Sequence, residues 1–177
     1  MEKSGAKMTI CGQVVQFEAA SIPQWITAAV AVCALVAAIA SIITQKRIAR
    51  RRAAIDFFLK TEMDTDTKKS HDEYKKAIDP LKMIVTDKGE MKSSFANTAE
   101  YWAIRNYLNL HELLAVGVLN GVFDKKVCYD FWSGELVIAH MDTLPLIKYV
   151  QAQKNSKNVY AELEKLANKW KKRRNVY

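Results

Sequence analysis

The sequence lacks the motifs by which most nucleotide-binding and hydrolytic enzymes are detected. It contains no GxxxxGK(S/T) or GxGxxG phosphate-binding loop, and no GxSxG turn that would present a catalytic serine. Its three histidines are scattered singly, and His111-Glu112 begins an HExxH zinc motif whose second histidine is missing. We therefore expect no catalytic residue, no metal ligand and no cofactor, and a protein that is not an enzyme.

Charged residues are absent from a long stretch near the N-terminus. No Asp, Glu, Lys or Arg occurs between Glu18 and Lys46, and residues 22–43 are mostly apolar. A helix that rises about 1.5 Å per residue over this length crosses the roughly 30 Å hydrocarbon layer of a bilayer. We predict an external tail over residues 1–21, a transmembrane helix over 22–45 and a cytoplasmic helical domain over 46–177. A cleaved signal peptide and a buried core helix are the less favoured alternatives, because basic charge follows the apolar run and the run is long.

Positive charge sets the predicted orientation of this helix. Two basic and two acidic residues balance in the first 45 positions, so the net charge of +8 lies entirely in residues 46–177. Basic residues next to a span remain on the cytoplasmic side, which predicts a bacterial inner-membrane protein with its N-terminus outside. Two basic clusters are expected to contact the lipid bilayer at its anionic inner leaflet. They are Lys46, Arg47, Arg50, Arg51 and Arg52 after the span, and Lys171, Lys172, Arg173 and Arg174 at the C-terminus.

Cysteine is scarce, and the predicted topology separates the three that are present. Cys11 falls outside, Cys33 in the membrane and Cys128 inside, so they cannot form an intramolecular disulfide framework. Only Cys11 would be in an oxidising compartment, where it either pairs with Cys11 of a second copy or remains a free thiol. Cys128 precedes bulky aromatic residues, which is typical of a buried, unreactive thiol.

Small residues line one face of the predicted span. Ala34 and Ala38 are four residues apart, as are Ala37 and Ser41. Such spacing lets two helices approach closely in lipid, so we expect self-association and a homo-oligomer.

The spacing of apolar residues after position 46 is helical throughout, and predicts an all-α fold. Helices are expected over residues 46–63, 68–78, 98–119, from Asp124 onward and over 156–170. Asn97 is the expected N-cap of the third helix. Pro80 is expected to interrupt or restart the second helix, and Pro145 to break or kink the chain. Residues 1–18 have some strand character.

Asn109 and Glu112 form a candidate core polar pair. They are three residues apart and share a face of the most apolar predicted helix of the domain. A buried carboxylate needs partners, which could be Arg105, Asn109 or backbone N–H groups at the end of a neighbouring helix. Two interpretations stay open: a polar binding site in the bundle core, or a hydrogen-bond network that fixes helix packing, which we favour.

Several stretches carry a resemblance to a known family. They are Arg51-Arg52-Ala53 with Phe57 and Leu59, residues 104–109 with Glu112, residues 115–118 and 121–124, and Tyr160, Glu164, Leu166 and Trp170 near the end. In these the chain resembles a bacterial family known only as a domain of unknown function, whose members are often membrane-anchored and phage- or mobile-element-associated. The resemblance implies an all-α cytoplasmic domain after one span, and it transfers no catalytic residue.

These observations predict a single-pass inner-membrane protein whose helical domain mediates protein contacts and oligomerisation. The family resemblance adds an expected role in phage defence or phage exclusion. One alternative is a membrane-perturbing effector whose oligomerised spans depolarise the bilayer. A membrane-tethered nucleic-acid binder is less favoured, and an enzyme that uses Glu112 and His111 is the remaining alternative.

Overall fold

A computed structural model describes residues 7–10, 13–16 and 22–174, with side chains from residue 25 to residue 173. The chain forms two compact units, residues 1–46 and residues 47–177. Cys11, for which an intermolecular disulfide was one expectation, lies outside the described residues.

The N-terminal unit contains a hairpin and an exposed apolar helix. Strands β1 (Lys7–Ile10) and β2 (Gln13–Gln16) pair antiparallel, with Lys7 opposite Gln16, which confirms the strand character of this segment. Helix α1 (Ile22–Met63) is long and apolar enough to cross a membrane. No part of its most apolar 18-residue stretch is buried. This stretch therefore presents a long apolar helix surface that none of the described residues covers.

The second unit is a helical bundle around one central helix. It is built from residues 47–63 of α1 and from α2 (Thr65–Ile84), α3 (Ala99–Leu119), α4 (Lys125–Gln153) and α5 (Ala161–Arg174). Helix α3 packs against α2, α4 and α5, and its residues Ile104, Leu108 and Ala115 are fully buried. The predicted all-α fold is confirmed.

Both prolines lie inside helices, so the predicted interruptions are wrong. Helix α2 continues through Pro80 to Ile84, and α4 continues through Pro145 to Gln153. A proline inside a helix costs about 3 kcal/mol because one backbone hydrogen bond is lost. On both sides of Pro80 the side chains of Ala77, Ile78 and Leu81 are buried, and this packing offsets the cost.

The structure also corrects two helix starts and confirms a third. Thr98, not Asn97, caps α3, since its Oγ1 accepts from the Tyr101 N–H at 3.1 Å. Helix α5 begins at Ala161 because the residue before it, Tyr160, has a φ of 59°, in the left-handed region that no right-handed helix contains. Asp124 caps α4 as predicted, accepting from the Val127 and Lys126 N–H groups at 3.0 Å.

Candidate functional site

The basic residues that follow the apolar stretch are exposed. Two of them, Arg50 and Arg51, also bind the loop between α3 and α4. Arg51 Nε lies 3.6 Å from the Asp124 carboxylate, and the Asp124 N–H donates to the Arg50 carbonyl at 3.2 Å. The Val127 N–H above all, and then the Lys126 N–H and Arg51, lower the pKa of Asp124, so this carboxylate stays ionised. The α3–α4 loop is thereby fixed to the part of α1 by which the chain enters the second unit. Lys46, Arg47 and Arg52 are also exposed.

The C-terminal basic residues occupy the last turn of α5. Lys172 and Arg173 are exposed and Lys171 is partly buried, whereas the side chain of Arg174 lies outside the described residues. The guanidinium carbon of Arg173 lies 3.9 Å from the centroid of the Tyr129 ring, a cation–π contact that attaches this turn to α4.

A basic cleft of about 420 Å³ opens between the end of α3, the start of α4 and the end of α5. Its lining combines four cationic with four apolar side chains: Lys125, Lys169, Lys172 and Arg173, and Val118, Leu119, Leu166 and Trp170. Lys125 directly follows Asp124, the residue that is paired with Arg51. The basic cleft therefore lies at the same end of the second unit as the arginines of α1.

Asn109 and Glu112 are not core residues, and this placement corrects the prediction. Asn109 is exposed and Glu112 is partly buried. Leu108, which precedes Asn109, and His111, which precedes Glu112, are fully buried. Successive helix residues are about 100° apart, so a polar residue can directly follow a core residue and still point out of the core.

Asn109 and Glu112 instead join α3 to the start of α5. The Glu112 carboxylate accepts from the Leu163 N–H at 2.7 Å and from the Glu162 N–H at 3.4 Å. The Tyr160 hydroxyl donates to the Asn109 side-chain oxygen at 3.2 Å and accepts from Arg105 Nε at 3.2 Å. Three kinds of partner were considered for Glu112, and the structure shows the third: backbone N–H groups at the end of a neighbouring helix.

His111 is the buried polar residue of α3. Its Nε2 accepts from the Trp132 indole N–H at 3.0 Å, so its Nδ1 carries the proton and donates to the Tyr107 carbonyl at 3.0 Å. Burial lowers the pKa of His111 to about 4, which keeps the ring neutral at pH 7. Because both ring nitrogens are occupied, His111 is not available as a ligand or a base. Over residues 25–173 no group of three or more His, Cys, Asp or Glu is placed to hold a metal ion.

A second cleft, of about 440 Å³, was missed by sequence reasoning. It contains a chain of hydrogen bonds across three helices, in which His71 Nδ1 lies 3.0 Å from the Tyr107 hydroxyl and that hydroxyl donates to Glu135 at 2.9 Å. These residues are separated by 36 and 28 positions, and no sequence spacing signals their meeting. Further lining residues are Thr61, Glu62, Thr67, Lys68, Asp72, Leu110, Phe131 and Trp132.

This second cleft offers hydrogen-bond acceptors but no activated nucleophile. Burial, and then the charge of Glu135, raise the pKa of Tyr107, so its hydroxyl stays protonated and donates to Glu135. Since the Tyr107 proton goes to Glu135, His71 donates to the Tyr107 hydroxyl through Nδ1. The two threonine hydroxyl groups in the lining donate elsewhere, that of Thr61 to the Phe58 carbonyl and that of Thr67 to Asp64. The arrangement suits binding of a hydrogen-bond donor better than covalent catalysis.

The fold therefore defines an all-α domain that follows a helix able to cross a membrane. The model of the family described as domain of unknown function DUF4760 matches residues 28–170, and the chain belongs to that family. This confirms the resemblance to a family of unknown function. No curated protein and no solved structure matches the chain.

Proposed function

We propose that the protein is a single-pass protein of the bacterial inner membrane, with its N-terminus outside and the second unit in the cytoplasm. The observation that carries this proposal is the exposure of the apolar side chains of α1, among them Val30, Leu35, Ile39 and Ile43. Apolar surface in water costs about 25 cal/mol per Å², and hydrocarbon removes that cost. A core helix of a soluble domain would bury these side chains inside the protein.

The proposed orientation is supported by the exposed arginines that begin the second unit. Arg47, Arg50 and Arg52 are exposed and are free to meet lipid headgroups on the side where the chain leaves the apolar stretch. Attraction to an anionic leaflet contributes about 1 kcal/mol per basic residue near the surface. The opposite orientation would require these charges to cross the bilayer.

In this proposal the second unit acts by binding other proteins, including a second copy of the chain. Ile48, Ile55 and Leu59 are exposed at spacings of seven and four residues, which place them on one face of α1. Ile55 and Leu59 point away from the bundle, whereas Ala54 and Phe58 point into its core. An apolar face without a partner is a common mark of a protein–protein contact.

The topology is tested by labelling single cysteines with a membrane-impermeant maleimide. A variant that keeps Cys11 and carries Cys33→Ala and Cys128→Ala is expected to be labelled in intact spheroplasts. A matched variant with Cys11→Ala as well, and Lys88→Cys in the exposed turn around Gly89, is expected to be labelled only after the membrane is opened. The reverse pattern would contradict the orientation, and recovery of the protein in the soluble fraction would contradict the anchor.

The role in phage defence is proposed on the family resemblance alone. Cells that express the full chain are then expected to plate a phage panel with lower efficiency than cells that express a form without residues 22–45. Equal plating by both across the panel would contradict this role.

A further inference from the structure

We propose that the basic cleft binds the phosphate-bearing headgroup of an anionic phospholipid from the leaflet that faces the second unit. The proposal rests on the proposed membrane anchoring, and it adds a specific lipid site to that anchoring. Diffuse attraction between basic residues and the leaflet needs no cavity, whereas a specific site needs converging cations and a floor that fits the ligand.

The charges of the basic cleft are unbalanced within the protein. Four cationic side chains line it and no carboxylate does. Within the described residues, Lys125, Lys169 and Lys172 form no ion pair, and Arg173 contacts the Tyr129 ring face rather than a carboxylate.

Three carboxylates of the flanking segments already have partners. Asp124 pairs with Arg51, Asp130 with Lys126, and Glu162 with Lys165. The cations of the basic cleft can therefore pair with an anion from outside the protein. Lysine and arginine side chains bind phosphate groups well.

The floor of the basic cleft indicates a lipid rather than a free phosphate ion. Val118, Leu166 and Trp170 close this floor and are almost fully buried, and the partly buried Leu119 offers apolar surface to the glycerol of a lipid. A free ion gains nothing from such a floor. The volume of about 420 Å³ suits one compact headgroup, whereas a nucleic-acid strand binds along an extended groove.

The position of the basic cleft also favours a lipid. Leu119 and Lys125, which line it, bracket the loop that is held by Arg50 and Arg51 of α1. Those arginines lie a few residues beyond Arg47, where the chain enters the second unit. If residues 22–45 cross the bilayer, Arg50 and Arg51 are only a few residues along the chain from the leaflet.

The test uses the full chain in nanodiscs of phosphatidylcholine, with or without phosphatidylglycerol. Hydrogen exchange of the peptide that covers residues 166–174 is expected to slow when phosphatidylglycerol is present, and native mass spectrometry is expected to find this lipid retained. The double variant Lys169→Glu/Lys172→Glu is expected to lose both effects, with lipid retention weaker by roughly fivefold for each reversed lysine.

A matched control reverses two lysines that do not line the basic cleft. Lys75→Glu/Lys76→Glu changes the net charge equally on the exposed face of α2, and is expected to keep both effects. If this control loses retention as well, the attraction is diffuse and the proposal of a specific site is overturned.

Two added ligands distinguish the other sources of phosphate. If inorganic phosphate in pure phosphatidylcholine discs slows exchange as much as phosphatidylglycerol does, the basic cleft binds a free anion. If a single-stranded DNA or RNA oligonucleotide does so in a salt-sensitive way and phosphatidylglycerol does not, the site binds nucleic acid. Either result overturns the lipid proposal.

The failure of this proposal differs from the failure of the anchor. A protein that stays embedded in the discs but shows no dependence on phosphatidylglycerol contradicts the lipid site alone. A protein that remains soluble without a bilayer or detergent contradicts the proposed membrane anchoring.

Discussion

Burial sets the protonation of single side chains in the second unit. Cys128 is fully buried, and this raises the pKa of its thiol to about 12, so it stays protonated and unreactive as its sequence context predicted. Burial lowers the pKa of His140 as well as that of His111. Both imidazole rings are therefore neutral in the folded protein at neutral pH.

We predict that the second unit loses stability as the pH falls from about 6.5 to about 4, through the titration of His111. In this range the unfolded chain binds a proton that folded His111 does not, so the free energy of unfolding decreases as the pH falls. One such histidine gives a slope of about 1.4 kcal/mol per pH unit between its two pKa values. The loss should be complete near the folded pKa, and the measurement is thermal unfolding of the full chain in detergent across this range.

The control for this pH dependence is His111→Gln, which removes the titrating ring. We expect a lower melting temperature at pH 7, because the Trp132 indole N–H and the Tyr107 carbonyl lose well-placed partners. The slope with pH should become shallower but not vanish, because the pKa of His140 is lowered in the same direction. An unchanged slope would show that His111 does not carry the effect.

The start of helix α5 depends on a residue that is distant in the sequence. The residue before it, Tyr160, has a φ of 59° and no side chain suited to cap a helix. Glu112, which is about fifty positions earlier in α3, accepts from the first N–H groups of α5 in place of a local cap. Its negative charge also lies at the positive end of the helix dipole.

We predict that Glu112→Ala destabilises the second unit by about 2 kcal/mol, and Glu112→Gln by about 1 kcal/mol. Alanine leaves the N–H groups of α5 without an acceptor, whereas glutamine keeps an oxygen but loses the charge. Thermal unfolding measures both changes, and Glu90→Gln, in the exposed turn after α2 and outside any helix, is the matched control. Equal melting temperatures for Glu112→Ala and the wild type would contradict the capping role.

For the whole molecule, the prediction concerns self-assembly along α1. We expect the detergent-extracted full chain to have the mass of an oligomer. The substitution Ala38→Leu is expected to shift this mass toward the monomer, because a larger side chain keeps two spans apart. Ala29→Leu, nine residues away and therefore on the side of the same helix opposite Ala38, is the matched control.

A second variant distinguishes assembly through the span from assembly through the second unit. Ile55→Glu/Leu59→Glu changes two exposed side chains of the second unit and should leave its core intact. If this variant remains an oligomer and Ala38→Leu does not, the span drives assembly, and the converse assigns assembly to the second unit. A monomeric wild type would contradict self-assembly and require a different protein partner.

The sequence by itself determined the features that depend on local periodicity and composition. An uncharged run of apolar residues reveals a helix able to cross a membrane, because length and charge alone decide that property. Helical spacing after residue 46 predicted the all-α fold, and Asp124 predicted the start of α4, because a cap acts within its own turn. The family resemblance followed from the same local patterns.

Only the tertiary structure decided which distant residues meet. It placed His71, Tyr107 and Glu135 around one cleft, and it assigned Glu112 to α5 rather than to the core. It also kept α2 and α4 continuous through Pro80 and Pro145, against their local preference. These outcomes depend on how the helices pack, and the energy gained by burial between helices exceeds the local energies that a sequence pattern reveals.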